Sequence, residues 1–232
     1  MPDRFVKPLW IASGAAAAVV VLLLTGPAIR ERFRPKSEVQ RIAEATKSLQ
    51  FRISEARLSV DDPYRPVPRT MRGGSRVETE AMSNLRFLEA AQDLEESSRG
   101  DAIDRLQARA AVDLYLGDTD LALQRLDEAL KRADTEKLAP KRKAAILNDL
   151  AVARLRKGGD ERDSIAALDA IEKARALDDS PSIAWTRAVV LEAVGQKDAA
   201  LQAWQHYLRL DSASAWAAEA REHVAGLRPP AG

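Results

Sequence analysis

Small residues recur in this chain at fixed intervals. Ala110, Gly117, Ala122, Leu126 and Ala129 are separated by 7, 5, 4 and 3 positions, and Ala188, Gly195, Ala200, Trp204 and Tyr207 repeat the same steps. A middle copy carries Leu150, Ala151, Gly158, Ala167, Ile171 and Ala174, with a turn about four residues longer through Gly159-Asp160-Glu161-Arg162-Asp163. A period of about 34 residues built this way leaves few folding options. The small residues let two antiparallel helices approach closely, the glycine lies in the turn between them, and the large residue four after the second alanine wedges against the next hairpin. The copies begin near Asp101, and three is about the minimum for a stack that buries its own faces. A capping helix from near Ser214 to near Gly226 would cover the last copy with Trp216, Ala220 and Val224. Aromatics at 5% and only 11 glycines and 11 prolines favour helices over sheets, so the expected class is all-α, a solenoid of about three hairpins plus a cap.

A second feature precedes the repeats. Leu9–Ile29 is 21 residues without a charge, long enough at about 1.5 Å per residue to cross the roughly 30 Å hydrocarbon core as one transmembrane helix. Gly26-Pro27-Ala28 resembles a signal-peptide cleavage site, but the basic run that follows resists translocation, so a retained anchor is the favoured reading. Arg30, Arg32, Arg34 and Lys36 flank the span, and beside a bilayer each charge attracts anionic headgroups by about 1 kcal/mol. The excess of positive charge after the span over Arg4 and Lys7 before it places the C-terminal domain on the cytoplasmic side, with the opposite face as the alternative.

The organisation then reads as a tail (1–8), the span (9–29), a juxtamembrane basic segment and helix (30–57), a Pro/Gly-rich loop (58–76), a helical repeat domain (77–227) and a tail (228–232). Ser37 with Gln40 forms a capping box that opens a helix through Val39, Ile42, Ala43, Ala45 and Leu49. Pro63, Pro66 and Pro68 keep the following loop extended, and a helix is expected from Val77 to Glu96 with Leu85, Leu88, Ala91 and Leu94 on one face.

Catalytic chemistry finds little support. There is no cysteine, which excludes thiol catalysis, disulfides and Cys-ligated zinc. The two histidines, His206 and His223, lack metal-ligand spacing and read as surface or partly buried residues. Ser75 lacks the strand–turn–helix setting of a nucleophile elbow. The pairs Asp61-Asp62, Glu95-Glu96 and Asp178-Asp179 diverge as neighbours on a helix and read as solvated turns and helix ends. No cofactor or metal is implied. A formal charge of +1 gives no overall attraction to nucleic acid.

The remaining candidate is the wall formed by the first helix of each copy. Its inward positions are Gln107, Ala111 and Tyr115, then Asn148, Val152 and Arg156, then Trp185, Val189 and Glu192. An Asn, an Arg and an aromatic on one wall suit a peptide backbone plus one carboxylate. Packing of Trp185 and Val189 between repeats is an equal alternative. Asp149 and Arg187, one position off the inward faces, are expected to pair between adjacent repeats.

This spacing resembles tetratricopeptide repeats over roughly Asp101 to Leu227, which implies helix hairpins whose first helices line a groove for protein segments. A narrower resemblance rests on Ala184-Trp185-Thr186-Arg187-Ala188-Val189, on Ala203-Trp204-Gln205-His206-Tyr207-Leu208-Arg209-Leu210-Asp211 with Ser214, Trp216, Glu219 and Ala220, on Asn148-Asp149-Leu150-Ala151-Val152-Ala153, and on Arg57-Leu58-Ser59 with Tyr64 and Pro66. Together these resemble the repeat region of bacterial proteins that carry a caspase-like CHAT protease domain downstream. Thr186 stands where that pattern has Asn, and Val60 where it has Gly. The sequence stops at Gly232 with no cysteine, so the resemblance implies the regulatory, partner-sensing half and not proteolysis.

Three readings follow. The first is a membrane-anchored scaffold of the bacterial inner membrane that binds a protein or peptide partner in the groove. The second is the regulatory N-terminal part of a CHAT-type effector. The third is an envelope-assembly adaptor facing the periplasm. The oligomeric state and the partner's identity stay open.

Overall fold

The computed structural model describes residues 36–61, 64–67, 76–98, 101–158 and 161–228. The chain divides into two units, Met1–Lys36 and Ser37–Gly232, and the account below concerns the second. Leu9–Ile29, Arg30, Arg32 and Arg34 lie outside the described residues, and Lys36 is exposed. Among the described residues no helix is long and apolar enough to cross a membrane.

The described residues form an all-helical chain. Its helices are α1 (Glu38–Thr46), α2 (Arg76–Ser83), α3 (Leu85–Glu96), α4 (Ala102–Leu116), α5 (Thr119–Thr135), α6 (Pro140–Lys157), α7 (Glu161–Leu177), α8 (Pro181–Ala193), α9 (Lys197–Leu210) and α10 (Ala215–Leu227). From α4 onward each helix packs on the next, because the short connections force antiparallel neighbours. The first helices α4, α6 and α8 also touch one another in order, which sets them in a common layer. Helices α1, α2 and α3 lie against α4.

Local chemistry accounts for the ends. Asp101, Asp118 and Ser214 cap α4, α5 and α10 with side-chain oxygens on backbone amides, and Pro140 and Pro181 open α6 and α8. Gly117 (φ 92°) and Gly195 (φ 75°) take the left-handed conformation that ends α4 and lets the chain reverse after α8. The recurrent positions are buried as their spacing demands, with Ala122, Ala151, Ala167, Ala188 and Ala200 and the wedges Leu126, Ile171 and Trp204 all at 0% exposure.

Four expectations need correction. The capping box of Ser37 and Gln40 is present, but α1 ends at Thr46, and Leu49 is buried beyond the helix. The helix expected over Val77–Glu96 is two, because Asn84 leaves the helical conformation and its side chain accepts the Phe87 amide as a new N-cap. That break turns Leu85 out to solvent, 69% exposed, and puts Phe87, Ala91 and Leu94 into the core. In the middle copy the additional residues mostly lengthen the second helix at its start rather than the turn, since α7 already begins at Glu161.

Candidate functional site

The layer of first helices carries the sequence-predicted wall, and a segment of the same chain lies on it. Residues 52–61, between α1 and α2, present alternate main-chain groups to these helices. Arg156 Nη1 donates to the Ile53 carbonyl (2.9 Å), Trp185 Nε1 to the Glu55 carbonyl (2.7 Å) and Asn148 Nδ2 to the Arg57 carbonyl (2.9 Å). Thr186 Oγ1 both donates to the Arg57 carbonyl (3.1 Å) and accepts from the Arg57 amide (3.2 Å). The Ser59 amide donates to Asp149 Oδ1 at 2.7 Å. These contacts recur every second residue along a bent loop, which ends in a turn closed by the Asp61 amide on the Leu58 carbonyl (3.0 Å), while the Arg52 amide donates to the Pro66 carbonyl (3.2 Å). Side chains on the opposite parity go inward, with Ala56, Leu58 and Val60 at or below 1% exposure.

Polar anchors hold both ends of the segment. At one end Asp61 is buried and receives Arg65 Nη2 (2.6 Å), the Tyr115 hydroxyl (2.6 Å) and the Leu58 amide (3.1 Å). Asp61 is therefore not the solvated turn residue its neighbour Asp62 and a following proline suggest. In the middle Asp149, 2% exposed, accepts from the Ser59 hydroxyl (2.5 Å) and from Gln107 Nε2 (2.7 Å). Burial raises the Asp149 pKa despite the bonds from Gln107 and Ser59 that favour its charge. Its expected pairing with Arg187 does not occur, since Arg187 Nε bonds Glu172 Oε1 at 2.7 Å on α7. Two neighbours on a helix point about 100° apart, and accordingly Asn148 and Asp149 meet different residues of the segment, Arg57 and Ser59.

At the other end Arg52, fully buried, pairs through both terminal nitrogens with Glu219 of α10. Its guanidinium lies 4.6 Å from the ring centre of Trp216, 5.6 Å from Trp185 and 5.5 Å from Tyr64. Glu219 also faces His223, and His223 Nδ1 lies 2.9 Å from Glu192 Oε1 while its ring stacks on Trp204 at 4.5 Å. Burial opposes the Glu219 charge, but His223 and Arg52 outweigh it and hold its pKa at about 2.

All the predicted wall residues fall on this face or at its edge. Gln107, Tyr115, Asn148, Arg156 and Trp185 bond the segment directly. Val152 and Val189 are core residues beneath it, and Glu192 meets Trp204 and His223 rather than the segment. Trp185 serves both readings considered above, being packed edge-on against Trp204, Tyr207 and Trp216 while its indole N–H holds the segment. Sequence reasoning passed over Thr186, Asp149, Trp216 and Glu219 as parts of the wall. For Asp149 and Thr186 the available signal was a polar residue inside an otherwise apolar first helix; Trp216 and Glu219 come from α10, where no such signal marks them. Among the described residues no group of His, Asp and Glu side chains is arranged to hold a metal ion. Neither a protein-family model nor a curated protein matches the chain.

Proposed function

We propose that the protein is a membrane-anchored interaction scaffold, not an enzyme, whose helical hairpins are of the tetratricopeptide kind and whose groove takes a protein segment. The observation that carries this reading is the row of side chains from α6 and α8 that bind main-chain groups of residues 53, 55, 57 and 59, with Gln107 and Tyr115 of α4 on the Ser59 and Asp61 side chains. Recognition through the main chain tolerates many sequences, so the groove is suited to segments other than the one it holds. Leu9–Ile29 supplies the anchor, the Arg30–Lys36 run faces anionic headgroups, and the C-terminal domain is assigned to the cytoplasmic side of a bacterial inner membrane.

A second reading, the regulatory half of a CHAT-type effector, is favoured by one observation. The Arg57-Leu58-Ser59 loop and the Asn148-Asp149 helix, which both carry that resemblance, meet through the Asn148–Arg57 and Asp149–Ser59 bonds.

In-membrane crosslinking with mass spectrometry tests the scaffold. One protein should crosslink more to Arg52→Ala, where the resident segment is loosened, and disappear from the double variant Arg52→Ala/Asn148→Ala. Indifference of every crosslinked protein to both changes would sink the groove as the binding site. Because the chain lacks cysteine, a single Ser98→Cys reporter labelled from one side assigns the topology.

A further inference from the structure

The geometry points to an arginine-binding pocket at the junction of the last hairpin and the cap, now filled by Arg52, as the specificity site of the groove for a partner segment that presents its own arginine. The inference rests on the scaffold reading and names the ligand chemistry within it.

The pocket's fixed walls belong to the repeat domain. Trp185 comes from α8, Trp216 and Glu219 from α10, and the two indole rings stand edge to face with centres 4.8 Å apart. Their faces attract a flat cation, and the Glu219 carboxylate matches the two-pronged guanidinium, which an ammonium cannot match. Both Arg52 terminal nitrogens reach the Glu219 carboxylate. A third donor, Arg52 Nε, bonds the Ser54 carbonyl at 3.0 Å, two residues along the same segment, and Nη1 also donates to the Arg65 carbonyl at 2.5 Å, so a segment that follows the same bent path brings the first acceptor with its arginine.

Distances along the segment define the rest of the ligand. With the arginine as origin, the main chain is held at one, three, five and seven residues further on, by Arg156, Trp185, Asn148 with Thr186, and Asp149. At the seventh a hydroxyl is read as well, since Ser59 Oγ donates to Asp149 Oδ2. The wanted partner is a segment that can follow the same bent path, with an arginine and, seven residues later, a serine or threonine in a turn. It docks by displacing residues 52–61, which act as a resident competitor.

The test uses the full chain in detergent and a synthetic peptide copying residues 51–67. The unaltered chain should bind this peptide weakly. Chains carrying Arg52→Ala/Ser59→Ala or Arg52→Ala/Leu58→Asp should bind it measurably by fluorescence anisotropy. Replacing the peptide's arginine by lysine should weaken binding at least about tenfold, because the fork geometry and the ring stacking are both lost. Binding that differs by less than about twofold between arginine, lysine and alanine peptides would overturn the pocket. So would no binding to either variant with helix content intact. Loss of helix content in both variants would overturn it too, because a displaceable occupant cannot be what keeps the hairpins folded. An arginine-dependent peptide without any membrane partner would leave the pocket standing and remove the scaffold. A crosslinked partner with no arginine preference would do the reverse.

Discussion

The indole N–H of Trp185 donates to the carbonyl of Glu55, 2.7 Å away in space and 130 residues earlier in the chain. The same ring is edge-on to Trp204, Tyr207 and Trp216, so one side chain joins the packing of the last hairpin to the hold on the resident segment. Changes at the segment and changes in the hairpins should therefore be separable by their reach.

Arg52→Ala should loosen the segment while the hairpins stay folded. Removing one partner of a buried ion pair costs about 3 kcal/mol, because Glu219 loses its guanidinium and keeps only His223 as a cationic partner. Hydrogen exchange should show the amides of residues 57–61 opening more readily and those of α4–α9 unchanged. Equal acceleration across both sets would mean that the segment and the hairpins unfold as one unit.

Asp149→Ala should destabilise more than Ser59→Ala. The first leaves Gln107 Nε2 and the Ser59 amide and hydroxyl without their acceptor, whereas the second removes one hydroxyl. The expected losses are about 3 and about 1 kcal/mol by urea denaturation. A reversal of that order would argue that the buried Asp149 charge costs more than its hydrogen bonds return.

The His223 clasp should weaken toward alkaline pH. Burial works against the imidazolium, but Glu219 and Glu192 prevail and raise the His223 pKa above its usual 6.5. A raised histidine contributes fully below that usual value and loses its contribution as pH climbs through the folded value. Glu219, held at about 2, contributes fully above its usual 4.5 and loses its contribution as pH falls toward 2. The clasp is thus strongest between 4.5 and 6.5. His223→Gln should lower the urea midpoint more at about pH 5.5 than at about pH 9. An identical loss at both would reduce His223 to its stacking on Trp204.

Gly117→Ala should cost more than Gly195→Ala. Both positions have positive φ, which alone costs a β-carbon about 1 kcal/mol. A methyl at Gly117 would also meet Glu78 Cδ at 3.0 Å, whereas nothing lies within 4 Å of one at Gly195. Glu78 is held by Arg156 at 2.5 Å, so shifting it disturbs the residue that binds Ile53. Thermal denaturation of the two variants checks the order, and equal melting points would show that Glu78 moves aside freely.

The hairpins were legible in the sequence because their determinants are local. Ala110, Gly117 and Ala122 sit within one hairpin, and the intervals among them follow from 3.6 residues per turn and a tight reversal. Caps at Ser37 and Ser214 were legible for the same reason, since each acts on an amide three residues away. The break at Asn84 was not, because an apolar pattern continues through it and masks its local cap on the Phe87 amide, which the Ser48 contacts just beyond α1 reinforce.

The wall was expected as a set of inward positions, and Gln107, Tyr115, Asn148, Arg156 and Trp185 of that set meet a segment of the same chain that the expectation did not include. What holds residues 52–61 is mainly a series of main-chain carbonyls and amides, and these are the same in every sequence. Nothing in the run Glu55-Ala56-Arg57 announces that its carbonyls will face Trp185 and Asn148. Asp61 makes the same point, since a paired aspartate before proline looks solvated until Tyr115, 54 residues away, is brought against it. Periodicity along the chain pointed to the all-helical class and to the hairpins from α4 onward, but not to the ends of α1, the break at Asn84 or the start of α7. Which distant backbone the wall receives, and that Asp61, Asp149 and Arg52 are buried with partners, arises only when the stacked hairpins bring separated polar groups together away from water, where each must find a partner.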